Sequence, residues 1–224
     1  SFLTAALCVA HGVSAQETDS ISMYQNIQKV EVTAIRATKS TPVAHSNLSR
    51  KEIEERNYGE DIPSLLASLP SVVISSESGT GIGSTSFRVR GTDPTRINVT
   101  LNGVPMNDAE THSVYWYDTP DLVSSLGSIQ LQRGVGTSTT GTGAFGASLN
   151  MTSAPLASKF SGRASLSYGS FNTAKQEIAL SSGLLGGHWA IDGRLSHLSS
   201  DGYVERASSN LSSYMLQAGY YKGN

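Results

Sequence analysis

The sequence predicts an α+β unit, a small mixed sheet with short helices, followed by antiparallel strands of an incomplete transmembrane β-barrel. Three observations carry that prediction. Up to about residue 155, short alternating segments are separated by glycine-rich loops and two capped helical stretches; from about residue 160, longer segments alternate apolar against polar. The third is composition: charged residues are only 15%, with 22 glycines and abundant Ser and Thr, which suits strands and turns better than a helical bundle.

The chain has 224 residues, enough for one large domain or two small ones. Its net charge of -2 leaves no electrostatic case for nucleic acid. Residues 1–15 (SFLTAALCVAHGVSA) read as the remainder of a secretory signal peptide, with an apolar run from Phe2 to Ala10 and a small-residue ending before Gln16. The run is too short to span a bilayer, and the missing positive start implies a chain clipped at its beginning. The only cysteine, Cys8, lies inside this segment, so disulfides and thiol chemistry are excluded from the mature chain. Leu7 is bulky where a lipoprotein anchor needs a small residue.

Residues 16–28 form a polar, aperiodic leader, expected to be flexible. Val30 to Ala34 then alternates as a short strand. Ser49 and Glu52 make a capping box, so a helix is expected from there to about Arg56. Asp61 is expected to cap a second helix, Ile62 to Leu69, stopped by Pro70 and presenting Leu65, Leu66 and Leu69 to a core. A strand follows from Val72 to Ser75, and Ser76 to Ser86 reads as a mobile loop.

Phe87 and Val89 alternate with Arg88 and Arg90; Ile97, Val99 and Leu101 alternate before Asn102-Gly103, a strong tight-turn dipeptide. The loop Asn107 to Tyr117 carries Asp108, Glu110 and His112, which lack a diagnostic second histidine for a metal site. Its Tyr115-Trp116-Tyr117 run suits either half-buried anchoring or ligand contact. Thr119-Pro120-Asp121 opens a short helix through Leu126, with Asp near the positive end. Ser128 to Thr152 is a strand, a loop with five glycines between Gly134 and Gly146, and a second strand.

Gly141, Gly143 and Gly146 spell a literal GxGxxG, but no apolar strand runs into it and a strand-like segment, not a helix, follows. Nucleotide binding is rejected, and no cofactor is expected. Gln132-Arg133-Gly134, the Gly-Thr-Gly-Ala-Phe-Gly run and Leu149 to Thr152 resemble instead the last plug segment of TonB-dependent outer-membrane receptors. Phe87 to Gly91, followed by Arg96 to Pro105, matches an earlier plug motif at family spacing. The resemblance covers about Lys29 to the C-terminus.

After Ala154, Arg163 to Tyr168, Gln176 to Ser182, Trp189 to His197 and Tyr214 to Tyr220 alternate, with Glu177, Asp192, Arg194 and Gln217 opposite the apolar face. Strands of about 10 residues with one apolar face and aromatic ends fit a transmembrane barrel wall. Gly169–Thr173 and Gly183–Gly187 are tight, whereas Ser199 to Asn210 is long, as expected of an outward loop. Four strands cannot close where a plugged barrel has about 22, so the chain is expected to be the N-terminal fragment of a longer protein.

The resemblance implies a plug over residues 29–155 and barrel strands over 160–224. It implies a bacterial outer-membrane importer of a scarce nutrient, a ferric-siderophore-like complex first, with outer-membrane lipid around it. Val30, Glu31, Val32, Thr33 and Ala34 would be the TonB box, gripped by a TonB-type periplasmic energy transducer through strand addition. Arg90 and Arg133 would lock the plug to barrel carboxylates beyond residue 224. Asp93, Arg96, His112, Tyr115, Trp116 and Tyr117, with Thr80 to Ser84, would face a small-molecule or metal-chelate ligand. Two rivals stand beside this: a surface β-protein that binds without transporting, and an enzyme, for which no residue spacing argues.

Overall fold

Residues 36–38, 41–135 and 145–221 are described by the computed structural model of the protein. The leader, Cys8, the segment 30–34 and Gly141 and Gly143 lie outside them.

The described chain runs β1 (His45–Ser49), α1 (Arg50–Arg56), α2 (Ile62–Leu66), β2 (Val72–Ser76), β3 (Thr85–Val89), β4 (Ile97–Leu101), β5 (Val104–Pro105), β6 (Leu126–Arg133), β7 (Ala147–Ser153), β8 (Phe160–Tyr168), β9 (Ala174–Ser182), β10 (Trp189–Ser200) and β11 (Ser209–Tyr220). The fold class is the one expected: a small mixed sheet with short helices, then an open antiparallel sheet.

The first sheet has the order β1-β6-β7-β4-β5, with β4 and β7 parallel and the other pairs antiparallel. Asn102 and Gly103 both take positive φ, 51° and 82°, which fits the tight turn that folds β5 back on β4. Apolar residues of one face, among them Ile97, Val99, Ile129, Leu131, Leu149 and Met151, form the core with Ile53 of α1, Leu66 of α2 and Trp116.

The other face corrects the reading of β6 as half-buried. Gln130 and Gln132 are also buried, and the stretch 36–38 packs over Gln130. Ala37 N donates to Gln130 Oε1 at 2.7 Å, and Gln130 Nε2 donates to Ala37 O at 2.9 Å. The side-chain amide satisfies both backbone groups as a neighbouring strand would.

The capping box of α1 forms as expected, Ser49 accepting from Glu52 N and Glu52 accepting from Ser49 N. Two other expectations change. α2 stops at Leu66, three residues short, and Asp61 makes no side-chain cap bond. The helix expected to open at Thr119-Pro120-Asp121 and run through Leu126 is a 3-10 turn over Leu122–Ser125 only, and Asp121 itself is left-handed at φ 53°. In both places the aspartate side chain is drawn to a partner elsewhere in the fold.

β8 to β11 pair in sequence order, antiparallel throughout. Leu166 and Tyr214, each 83% exposed, lie on one face with Phe160, Tyr168, Ile178, Leu180, Trp189, Leu195 and Tyr220. On the other face, Lys175, Glu177, Arg194 and Ser196 are all under 9% exposed, because the α+β unit packs there. The sheet therefore buries its charges and exposes its apolar side chains, the reverse of a water-soluble sheet. Trp189 and Tyr220 pack with ring centroids 4.9 Å apart at the end of the sheet where Phe160 begins β8.

Candidate functional site

Two places concentrate polar and aromatic side chains: a loop face on the α+β unit and a joint between that unit and β8–β11. The loop face is organised by β3. The 3-10 turns Pro94–Arg96 and Trp116–Asp118 both pack against β3, and Ser86, Phe87, Pro94, Val114 and Trp116 share one small cavity. Trp116 is buried and meets Phe87 at a centroid distance of 6.2 Å, whereas Tyr115 and Tyr117 are exposed and lie 5.6 Å apart. The aromatic run is thus split between an anchor and two free rings.

Asp93 accepts from Thr95 N and Oγ1, and these bonds hold its carboxyl below the usual range. Asp108 does the same for Thr111, closing the loop that carries His112 in a left-handed conformation at φ 57°. Arg96 and His112 are exposed on this face.

The loop 77–84 is tied down at several points. Glu77 N donates to Ser84 O at 3.0 Å, Ser78 Oγ to Ile82 O at 2.7 Å and Asp61 N to Gly81 O at 2.8 Å. Ile82 is buried. The loop also meets the connection between β10 and β11: Tyr203 N and Val204 N donate to Ser78 O at 2.8 and 3.2 Å. Tyr203 in turn packs edge-on against Phe171 of the β8–β9 turn, with centroids 5.5 Å apart.

The joint centres on Asp121. Its two carboxylate oxygens accept separately, Oδ1 from Lys175 Nζ and Oδ2 from Arg194 Nη1, both at 2.6 Å. Ser124 Oγ accepts from Lys175 Nζ at 2.8 Å and lies 2.6 Å from Asp121 Oδ1, and Ser125 Oγ accepts from Arg194 Nε at 2.8 Å. Glu177 sits 3.3 Å from Lys175 Nζ and accepts from Arg163 Nη2 at 2.7 Å. Buried charges persist only when paired and hydrogen-bonded, and here Asp121 finds both of its cations on the opposite body. The left-handed backbone of Asp121 costs about 1–3 kcal/mol, which the two charge-assisted bonds offset.

Of the residues expected to lock the unit to a surrounding wall, Arg90 is exposed and left-handed at φ 53° in the turn after β3. Its Nη1 lies 3.5 Å from where a Cβ on Gly134 would sit, so Arg90 and Arg133 share one end of the unit. Arg133 donates to Ser46 Oγ at 2.7 Å. Neither pairs with a carboxylate among the described residues.

The sequence pattern alone does not point to the joint. The sequence pattern puts Arg194 and Glu177 on a polar face, but Lys175 lies one residue outside the expected strand and Asp121 reads as a helix-dipole aspartate. The available signal was the alternation of Lys175 and Glu177, which puts both on the polar face of β9.

The family model described as TonB-dependent receptor plug domain matches residues 37–148, half of the chain. No curated protein matches. Among solved structures, the chain is similar to the pyoverdine outer-membrane receptor FpvA from Pseudomonas aeruginosa bound to pyoverdine, with TM-score 0.62, 16% identity and coverage of 80% of this chain and 25% of that one. It is similar to the alcaligin outer-membrane receptor FauA from Bordetella pertussis, with TM-score 0.59, 20% identity and coverage of 74% and 28%. For the siderophore receptor PirA from Acinetobacter baumannii, the TM-score is 0.52 at 18% identity, with coverage of 70% and 24%. At these identities the likeness is one of fold, and the chain spans about a quarter of each structure's length.

Proposed function

The chain belongs to the TonB-dependent receptor plug-domain family, proteins of the bacterial outer membrane, and from that premise we propose that it is the gated part of an importer. In this reading residues 29–155 are the plug and residues 160–224 the first strands of the surrounding barrel. The observation that carries it is the inverted four-stranded sheet: its charged face holds the α+β unit while its apolar face is left for hydrocarbon. Among the described residues no helix is long and apolar enough to cross a membrane; the strands would do so.

A pore wide enough for a nutrient complex must stay shut until energy is supplied. The plug fills it, and the Asp121 joint fastens plug to wall. Arg90 and Arg133 would add a second fastening at the other end of the plug, to carboxylates of later strands. The ligand would sit on the face built by Thr80 to Ser84, Asp93, Arg96, His112 and Tyr115 to Tyr117. Tyr115 and Tyr117 would stack against it, with Trp116 as their buried support. A ferric-siderophore-like complex is the ligand class proposed, supported by the fold shared with siderophore receptors. Val30 to Ala34 would be captured by a TonB-type periplasmic partner, whose pull opens the plug.

Deleting Val30 to Ala34 in the complete receptor should abolish energised uptake of a ferric siderophore while leaving its binding to whole cells intact. Loss of binding with normal membrane insertion, or uptake at the wild-type rate, would reject the assignment.

A further inference from the structure

We infer that a path for water and small ions runs along the seam between plug and wall, and that the Arg163 side chain closes it. The inference rests on the reading of β8–β11 as barrel wall. Two cavities with charged and hydroxyl side chains in their linings lie in that seam. One, of about 310 Å³, is bounded by Ser125 on the plug and by Ser181, Asp192, Arg194 and Gln217 on the wall. The other, of about 180 Å³, lies between Glu54 and Asn57 on the plug and Ser167, Lys175 and Glu177 on the wall.

Strand register places them in series. Asp192 pairs with Ser181, which pairs with Ser161 near the start of β8, whereas Lys175 pairs with Ser167 near its end. The larger cavity therefore lies toward the start of β8 and the smaller toward the β8–β9 turn. Arg50, Ser124 and Arg163 line both, and Arg163 is the one wall residue the two linings have in common.

These three partition residues are not equally fixed. Arg50 Nη1 donates to Leu126 O at 2.6 Å, and Ser124 belongs to the Asp121 joint. Arg163 is held only at its guanidinium group, which donates to Glu177 of the wall at 2.7 Å and lies 3.5 Å from Glu54 of α1, and its side chain is 46% exposed. Rotation about its side-chain bonds needs no movement of strand or plug and belongs to the fast motions of exposed side chains. Swung out, it would merge the two cavities. Only one of the three partition side chains would move, and the gap it leaves is lined by carboxylates, guanidinium groups and hydroxyls, so what passes is water and small ions, not the imported complex.

The test uses the complete receptor in planar bilayers, with energised uptake measured in cells on the same variants. Arg163→Ala should raise the basal conductance several-fold, and Arg163→Lys should stay near the wild-type level. Arg163→Cys should conduct like the Ala variant and close again when a bulky cationic thiol reagent is attached, with reagent-treated wild type as control. Conductance of the Ala and Cys variants equal to wild type, with uptake normal, overturns the seam and spares the transport reading. Absent uptake with a leak that the reagent closes supports the seam and sinks the transport reading. A Cys-variant leak indifferent to the reagent places the path elsewhere and overturns the inference.

Discussion

Asp61 and Asp121 both stand at the start of a helical turn, and neither caps it with its side chain. Asp61 accepts instead from Thr85 Oγ1 at 3.0 Å, tying α2 to β3. Burial pushes its carboxyl up to about 6, with the hydrogen bonds from Thr85 and Gly83 pulling the other way and Glu60 adding to the rise. Because the folded-state value is raised, the native protein takes up this proton before the unfolded chain does. The contribution of Asp61 to stability is thus lowest above pH 6 and grows as pH falls toward the ordinary carboxylate range. Replacing Asp61 with Asn should flatten the pH dependence of the unfolding midpoint between about pH 4 and 6, removing up to about 3 kcal/mol of variation at roughly 1.4 kcal/mol per unit. An unchanged pH profile would show that the carboxyl is not held in its buried place.

At the scale of elements, the loop 77–84 behaves as part of β3 and of the wall together. Gly79 has φ 74°, and a Cβ there would lie 3.0 Å from both Cβ and Cδ1 of Tyr203. Only glycine fits a backbone of this hand so close to another chain segment. Gly79→Val should therefore push the β10–β11 connection off the plug, seen as faster amide hydrogen exchange at Tyr203 and Val204, whose amides now bond Ser78 O. Unaltered protection there would mean that the loop moves instead of the connection. The same contact explains why the glycine-rich stretch is not the mobile loop its composition implies. Its glycines serve close approach and left-handed turns, and its one apolar residue, Ile82, is buried.

For the molecule as a whole, the plug is joined to the β8–β11 sheet by an ion cluster in which Asp121 of the plug meets Lys175 and Arg194 of the sheet, with Glu177 of the sheet beside Lys175. Removing one partner of a buried pair strands the other. Asp121→Ala should cost about 3–5 kcal/mol of stability. Adding Lys175→Met to that variant should recover part of the loss, because one stranded cation is then gone. Denaturant midpoints of the four members of the cycle decide this, and strictly additive losses would deny the coupling. Arg163, Lys175 and Arg194 project from the polar face of the β8–β11 sheet together with Glu177 and Asp192, so that face presents charges of both signs to the plug.

The fold class, the capped start of α1 and most of the strands are legible in the chain alone, whereas β1 and the length of α2 are not. The Ser49 capping box, the Asn102-Gly103 turn and the two-residue alternation of β8–β11 are local signals, each set by neighbours a few positions away. Long-range packing sets the rest: both faces of β6 are buried, Asp61 and Asp121 leave their helix starts, and Asp121 meets Lys175 and Arg194 across 54 and 73 residues of chain. The physical reason is that local pattern states which side of an element is polar. Which partner that polar side finds depends on what packs against it, and a buried charge goes to the opposite charge the fold brings within reach.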